Sequence, residues 1–178
     1  MQHEIVLPEA KPALEWVGGR AVQKVSSKRR HAILQAAIAS TLRAWASGRG
    51  EVGSEWRFRL APPSEVRRPL VPDVAFLSTE RSRYLAGEDR EAPPVAPDLA
   101  VEILSPDDRR ADVDEKRRVY MASGVRLLLH VDPETERIEA YRPNGAFEDV
   151  CARQIYEPPD FPGLALPFDA FFRELDRD

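Results

Sequence analysis

Residues 31–45 carry apolar side chains at intervals of three or four positions, which is the spacing of one face of an α-helix. The residues on this face are Leu34, Ile38, Leu42 and Trp45. Ser27 is a candidate N-cap, and Gly48 follows the last apolar residue, where glycine commonly ends a helix. The pattern therefore predicts an amphipathic helix between Ser27 and Gly48.

After this helix the apolar residues follow a period of two, which is the period of a β-strand. Residues 54–60 alternate apolar and charged side chains and are predicted to form one strand. Two apolar runs of strand length, residues 71–77 and 99–104, each contain one acidic residue. Residues 125–131 are mostly apolar and predict a buried central strand, with which residues 137–142 are expected to form a hairpin.

Two further helices are predicted in the second half of the chain. Helical spacing returns in residues 110–123, where Gly124 ends the helix, and a short helix over residues 167–175 is expected to cover the sheet. Residues 16–25 are expected to form a short strand or hairpin near the start. The order helix, strands, helix, strands predicts an α/β or α+β domain with a mixed sheet flanked by helices.

The chain has 178 residues and a mass of 20.1 kDa, which fits one domain with one core. We expect residues 1–13 to be a loose lead-in and residues 14–178 to form the domain. The sequence has no apolar run of about 18 residues, so no membrane span is expected. The N-terminal segment lacks the pattern of a secretory signal, and a single cysteine, Cys151, fits a reducing cytoplasm.

The net charge of −4 argues against a general nucleic-acid binder, because such proteins are more often basic. Basic residues nevertheless cluster at positions 28–30, 67–68, 109–110 and 116–118. These clusters fit either one basic face or an ordinary solvated surface. Charge alone therefore leaves nucleic-acid binding open.

Two predicted strands carry a carboxylate where the pattern calls for an apolar residue, namely Asp73 and Glu102. Burying a carboxylate is costly unless it is paired or binds a metal. Two such acids on adjacent strands would repel each other, and a hard divalent cation such as Mg²⁺ or Mn²⁺ would remove that conflict. Removing one acid is then expected to leave the fold intact or more stable. The alternatives are that Asp73 caps a turn and that Glu102 faces solvent at a sheet edge.

Lys116 is the third residue of interest, on the predicted helix that follows the Glu102 strand. It shares one helix face with Asp112 and Tyr120, because the three residues are four positions apart. A lysine there could contact a phosphate or orient a metal-bound water. A lone lysine is more often a surface residue, so the hypothesis depends on Lys116 occurring together with Asp73 and Glu102.

Four blocks of the sequence resemble the Uma2 family, in the family's order and spacing, within roughly residues 14–150. The blocks are VPDVAF at 71–76, PDLAVEILSP at 97–106, DVDEKRRVYMASGV at 112–125 and VDPE at 131–134. The resemblance implies the PD-(D/E)XK fold, also called restriction-endonuclease-like, with a central mixed β-sheet flanked by helices. In that superfamily, acids of the kind matching Asp73 and Glu102 bind Mg²⁺ or Mn²⁺.

A typical member of that superfamily has lysine at the position of Leu104, and in Uma2-like sequences the following helix supplies it, here as Lys116. The resemblance implies a metal-dependent endonuclease that hydrolyses phosphodiester bonds in nucleic acid, with DNA as the expected substrate. A homodimer is a reasonable assembly, because cutting two strands often uses two sites. The alternative is a catalytically degenerate protein that binds nucleic acid or a partner on the same fold. A plain structural domain would require Asp73 and Glu102 to lie far apart.

Three residues near the predicted active site are candidate contacts for nucleic acid. Arg109 and Arg110 lie in the loop after the Glu102 strand and are expected to contact the phosphate backbone. Ser105 begins that loop and is the third candidate for a phosphate contact.

The candidate accessory residues of the site are Glu15, His31 and Tyr120. For Glu15 the alternative is a surface position, and for His31 it is a helix-start or core position. His130 lies in an apolar strand and is expected to be structural.

Overall fold

A six-stranded sheet forms the centre of the fold in the computed structural model, which describes residues 4–24 and 28–176. The strands are β1 (Leu14–Val17), β2 (Arg20–Gln23), β3 (Gly50–Ser54), β4 (Phe58–Leu60), β5 (Arg68–Leu70), β6 (Val74–Ser78), β7 (Leu99–Ile103), β8 (Leu127–Asp132), β9 (Arg137–Tyr141), β10 (Phe147–Val150), β11 (Ile155–Tyr156) and β12 (Leu166–Pro167). The helices are α1 (Arg29–Trp45), α2 (Thr79–Ser82), α3 (Glu88–Glu91), α4 (Arg110–Ala122) and α5 (Phe168–Leu175). Within the described ranges, no helix combines the length and the apolar character needed to span a bilayer.

The strands of the central sheet follow the order β10-β9-β8-β7-β6-β3. Strands β7 and β8 run parallel, and α4 lies between them in the chain as the crossover that a parallel pair requires. The other neighbours in this sheet are antiparallel, so the sheet is mixed. The pairs β1–β2, β4–β5 and β11–β12 form separate two-stranded sheets.

The side chains of β7 alternate between two hydrophobic cores, one on each face of the central sheet. Leu99, Val101 and Ile103 belong to the core that also contains the buried residues of α1 and α5. Ala100 belongs to the opposite core, which contains Tyr120 of α4 and residues of the small hairpins. Because successive strand residues point to opposite faces, the fourth residue of β7 faces the α4 side.

The predicted architecture of a mixed sheet flanked by helices is confirmed. The structure also confirms the β1–β2 hairpin, the helices α1, α4 and α5, and the antiparallel pairing of the buried strand β8 with β9. Gly124 follows Ser123, the C-cap of α4, and adopts a φ of 91°, as the sequence predicts for a helix end. Ser27 lies outside the described residues, and α1 begins at Arg29.

Two strand predictions differ from the structure. Residues 54–60 do not form one strand, because Glu55 adopts a left-handed φ of 50° between the end of β3 and the start of β4. The strand expected over residues 71–77 begins only at Val74, so Asp73 immediately precedes β6. Pro72 has no backbone N–H to give to a sheet, and the side chain of Asp73 is bonded to β7.

Candidate active site

Asp73 is buried immediately before β6, with 2% of the whole residue exposed. Its Oδ2 accepts the backbone N–H of Ile103 at 2.7 Å, and its own N–H donates to the carbonyl of Val101 at 3.0 Å. Its Oδ1 accepts a hydrogen bond from Lys24 Nζ at 2.6 Å. Asp73 is therefore held on both sides of the Glu102 position in β7, which excludes the reading of a simple turn cap.

Glu102 lies within β7 and is buried on the α4 side of the sheet. Its Oε2 accepts a hydrogen bond from Lys116 Nζ at 2.6 Å, and its Oε1 accepts one from the Tyr120 hydroxyl at 2.7 Å. Burial and the neighbouring carboxylate raise the pKa of Tyr120 well above its usual value, so the hydroxyl stays protonated and donates. The strand is central in the sheet, and the reading of Glu102 as a solvent-facing edge residue is wrong.

Lys116 joins two acids from distant parts of the chain. Its Nζ lies 2.6 Å from Glu102 Oε2 and 3.1 Å from Glu15 Oε2. Burial opposes its charge, but the carboxylates of Glu102 and Glu15 outweigh this effect and hold the pKa of Lys116 above its usual range. Lys116 therefore carries its proton at neutral pH, and it is not the surface lysine of the alternative reading.

Glu15 lies in β1 and is 4% exposed, so the alternative of a surface position is wrong. Its Oε1 accepts the backbone N–H of Val71 at 2.7 Å, while its Oε2 faces Lys116. Burial raises the pKa of Glu15 against the opposing effect of Lys116. The β1–β2 hairpin thus places a third acid beside the two that the sequence identifies.

Lys24 is a site residue that the sequence reasoning missed. It follows β2, and its Nζ donates to Asp73 Oδ1 and, at 2.8 Å, to the carbonyl of Val71. Burial opposes its charge, but the carboxylate of Asp73 raises the pKa of Lys24. The available signal was the alternation of β2, because Lys24 continues the phase of the partly buried residues Arg20 and Val22.

Two histidines also line the cavity that contains the acids. His31, near the start of α1, has its Nε2 3.4 Å from Asp73 Oδ2. Burial of Asp73 opposes its charge, but Lys24 and then His31 outweigh this effect and lower the pKa of Asp73. His130 pairs with Glu102 in the register of β7 and β8, and burial lowers the pKa of His130 to about 4. His130 is therefore neutral at neutral pH, and its Nε2 has no hydrogen-bond partner within the described part of the chain.

The cavity has a volume of about 380 Å³ and is open to solvent. Ser105 and Arg109 line it, whereas Arg110 is exposed outside it and faces Asp114 at 3.9 Å. Asp112 also lines the cavity, and its carboxylate binds Arg20 of the β1–β2 hairpin at 2.6 Å. The α4 face that carries Asp112 and Lys116 therefore contacts both this hairpin and Glu102. The three central residues, two of the accessory candidates (Glu15 and His31) and two of the three predicted phosphate contacts thus line one cavity. The third accessory candidate, Tyr120, contacts Glu102.

A hard divalent ion prefers carboxylate oxygens, and the cavity contains several such donors. Among residues 4–24 and 28–176, no group of three or more histidine, cysteine, aspartate or glutamate side chains is arranged to hold a metal. Asp73 and Glu102 still offer suitable oxygens, because a carboxylate oxygen that accepts one hydrogen bond keeps a second lone pair. The acids therefore fit such an ion in their chemistry, with Lys24 and Lys116 already bound to the same carboxylates.

Comparison with known proteins places the chain among nuclease-like sequences and structures. The Uma2 family model, described as "Putative restriction endonuclease", matches residues 2–171. A solved structure from Anabaena variabilis, described as "a putative nuclease belonging to DUF820", is similar with a TM-score of 0.82 and 25% sequence identity. That likeness covers 95% of this chain and 94% of the other. No curated protein matches. The resemblance seen in the four sequence blocks is confirmed.

Proposed function

Because this chain belongs to the Uma2 family, we propose that it is a Mg²⁺- or Mn²⁺-dependent endonuclease that hydrolyses phosphodiester bonds in DNA. The observation that supports this most strongly is the convergence of Asp73, Glu102 and Lys116 in one open cavity. Lys116 contacts Glu102 at 2.6 Å, and Asp73 is bonded to the backbone of the residue after Glu102. In phosphodiester hydrolysis, acids can bind a divalent metal ion and a nearby lysine can stabilise the negative charge of the transition state.

Asp73 and Glu102 would hold the divalent ion through their carboxylate oxygens. When bound, such an ion lowers the pKa of a coordinated water and polarises phosphoryl oxygens. Ile103 and Tyr120 keep the two carboxylates oriented through hydrogen bonds of 2.7 Å each. Because one donor is a backbone amide and the other a hydroxyl on a buried ring, both fix the direction in which the carboxylates face.

Lys116 serves as a cation in this proposal and not as a base. Its pKa is raised by Glu102 and Glu15 in spite of its burial, so it has no free electron pair at neutral pH. Its ammonium group can donate to a phosphate oxygen and offset the negative charge that develops as the phosphodiester is attacked. Glu15 holds that ammonium group from the hairpin side, at 3.1 Å, and is a positioning residue.

The rim of the cavity supports binding of a phosphate backbone. Ser105 and Arg109 line the cavity on the loop between β7 and α4, and Arg110 is exposed beside them at the start of α4. Arginine side chains commonly contact phosphates without reading the base sequence. We propose that this loop binds one DNA strand so that its phosphates lie over Asp73 and Glu102. We also propose that a homodimer presents two such sites to a DNA duplex.

A binding protein without catalysis is the second candidate function, and two observations favour it. Lys24 and Lys116 bind the carboxylates of Asp73 and Glu102. These ion pairs balance the charge of both acids without a metal ion, as a site that binds no metal would require. Leu104 also stands where the superfamily has its usual strand lysine. Fold alone does not decide between catalysis and binding.

Incubation of the purified protein with supercoiled plasmid and Mg²⁺ or Mn²⁺ tests the proposal. We expect nicking that requires the metal, is abolished by Glu102→Ala and persists in Glu134→Ala. Glu134 is the matched control, because it is an acid that lines the same cavity but is 52% exposed at its side chain. Nicking that persists in Glu102→Ala would contradict the proposal. DNA binding without cleavage under either metal would favour the second candidate.

A further inference from the structure

Lys24 occupies one oxygen of a proposed metal ligand. Its Nζ lies 2.6 Å from Asp73 Oδ1 and 2.8 Å from the carbonyl oxygen of Val71. Both side chains are nearly excluded from solvent, with 12% of Lys24 and 3% of Asp73 exposed. An ammonium group held by a carboxylate and a carbonyl has the kind of oxygen surroundings that a hard cation would also take.

The two lysines of the cavity are held differently. Lys116 is on α4 and is bound by two carboxylates, those of Glu102 and Glu15. Lys24 follows the last strand of the β1–β2 hairpin and is bound by one carboxylate and one neutral carbonyl. A hydrogen bond between two charged groups is stronger than one to a neutral acceptor. Lys24 is therefore the lysine that an incoming cation would displace more easily.

The carboxylate of Asp73 does not depend on Lys24 for its position. Its Oδ2 is held by the N–H of Ile103 at 2.7 Å and lies 3.4 Å from His31 Nε2. Among the described residues, Lys24 is the hydrogen-bond donor to Oδ1. Removal of the lysine would free that oxygen and leave the carboxylate anchored through the other one.

We propose that Lys24 is a tethered counter-ion that competes with a divalent cation for Asp73. The inference rests on the proposed function, because it takes Asp73 as a metal ligand. In the metal-free protein the ammonium group of Lys24 balances the negative charge of this buried carboxylate at 2.6 Å. When the ion binds, the ammonium leaves Oδ1, so the affinity for the ion includes the cost of breaking this pair. Lys24 thereby sets the concentration of divalent metal at which the site fills.

A purely structural ion pair would behave in the opposite way. If Lys24 only stabilised the fold around Asp73, its removal would weaken metal binding or leave it unchanged, because the ligand would be less well placed. Competition predicts tighter binding instead, because one positive charge leaves the immediate neighbourhood of the cation. The sign of the change in metal affinity therefore separates the two roles, whether or not the protein cleaves DNA.

The test is calorimetric titration of Mn²⁺ into the metal-free full-length protein, comparing wild type with Lys24→Met. We expect the variant to bind Mn²⁺ about tenfold more tightly or better, since a nearby unit charge is removed. Lys28→Met is the matched control, because Lys28 lines the same cavity but is 69% exposed and pairs with Asp107. It should bind Mn²⁺ as the wild type does.

Lys24→Gln provides a second neutral variant in case Lys24→Met does not fold, which far-ultraviolet circular dichroism would reveal. Mn²⁺ should also raise the melting temperature of either neutral variant by more than it raises that of the wild type. Equal or weaker Mn²⁺ binding by a folded neutral variant overturns the inference while leaving the metal site in place. Absence of Mn²⁺ binding in the wild type and in both variants overturns the inference together with the metal requirement of the proposed function.

Discussion

The carboxylate of Asp73 accepts the backbone N–H of Ile103 at 2.7 Å, and Ile103 is the residue directly after Glu102. The side chains of Ile103 and Glu102 point to opposite faces of the sheet, as neighbouring residues of a strand do. One hydrogen bond therefore links the position of the first acid to the strand that carries the second. Burial of the two acids requires a positive partner for each, and Lys24 and Lys116 are those partners.

Asp73→Asn should destabilise the metal-free protein by about 3 kcal/mol, because it leaves the buried ammonium of Lys24 without its counter-charge. The sequence suggested that removing one of two repelling acids would be neutral or stabilising, and the ion pair with Lys24 reverses that expectation. Urea unfolding at neutral pH in the presence of a chelator measures the change. Asp107→Asn is the control, since its pair with Lys28 is exposed and should contribute under about 1 kcal/mol. Equal stability of wild type and Asp73→Asn would refute the pairing argument.

Lys116→Met should lower the rate of DNA cleavage by about 100-fold, because it removes a cation placed where negative charge develops on the phosphate. DNA affinity should fall much less, since the arginines of the rim remain. Single-turnover cleavage and a binding titration with Ca²⁺ in place of Mg²⁺ measure the two quantities separately. If affinity falls as much as the rate, Lys116 is a phosphate contact and takes no part in the chemistry.

Tyr120→Phe should reduce the free energy of unfolding by about 1–2 kcal/mol, because the buried Oε1 of Glu102 loses its hydroxyl donor. The ring remains, so packing of α4 against the sheet is preserved. Tyr84→Phe is the matched control, as Tyr84 is 84% exposed and should show no change. Thermal or urea unfolding of the two variants distinguishes them, and identical stabilities would mean that the bond to Glu102 contributes nothing.

His130 should make the protein less stable as the pH falls from about 6.5 to about 4. In the unfolded chain the imidazole takes up a proton near its ordinary pKa, whereas in the folded protein burial lowers the pKa of His130 to about 4. Between these values the unfolded state binds more protons, so acidification costs stability, by about 3 kcal/mol over the whole interval. The stabilising effect of the neutral imidazole is present above the unfolded pKa and is lost below the folded one.

His130→Gln removes this titration, so its unfolding free energy should fall less than that of the wild type over the same pH range. The acids of the cavity titrate in both proteins, and comparing the two curves isolates the histidine. Urea unfolding at several pH values in metal-free buffer gives both curves. Parallel curves would show that His130 does not carry the pH dependence.

Much of the fold follows from local patterns in the sequence. The apolar spacing of α1 and α4 and the alternation of β9 depend only on which face of each element is buried, and that is visible in the order of the residues. The acids Asp73 and Glu102 were identifiable for a related reason, because a carboxylate within an apolar run must have a partner. The family block at residues 112–125 contains Lys116, so this lysine could be named before its contacts were known.

The partners of those residues were decided by the tertiary structure. Glu15 and Lys24 come from a hairpin near the start of the chain, and each also resembles an ordinary surface residue of a short amphipathic strand. Which acid each lysine neutralises depends on how the hairpin, β7 and α4 pack, and contacts between such distant segments leave no periodic trace in a single sequence. The break at Glu55 was hidden for a similar reason, since its left-handed backbone interrupts a pattern that otherwise alternates without fault.

The sequence by itself thus determined the order of helices and strands, the mixed sheet and the residue types at the centre of the site, because burial acts on each element locally. Only the tertiary structure decided that Lys24 pairs with Asp73 and that Lys116 pairs with Glu102 and Glu15. The physical reason is that a buried charge is stabilised by whatever opposite charge the fold brings within hydrogen-bonding distance, and that distance is a property of three-dimensional packing.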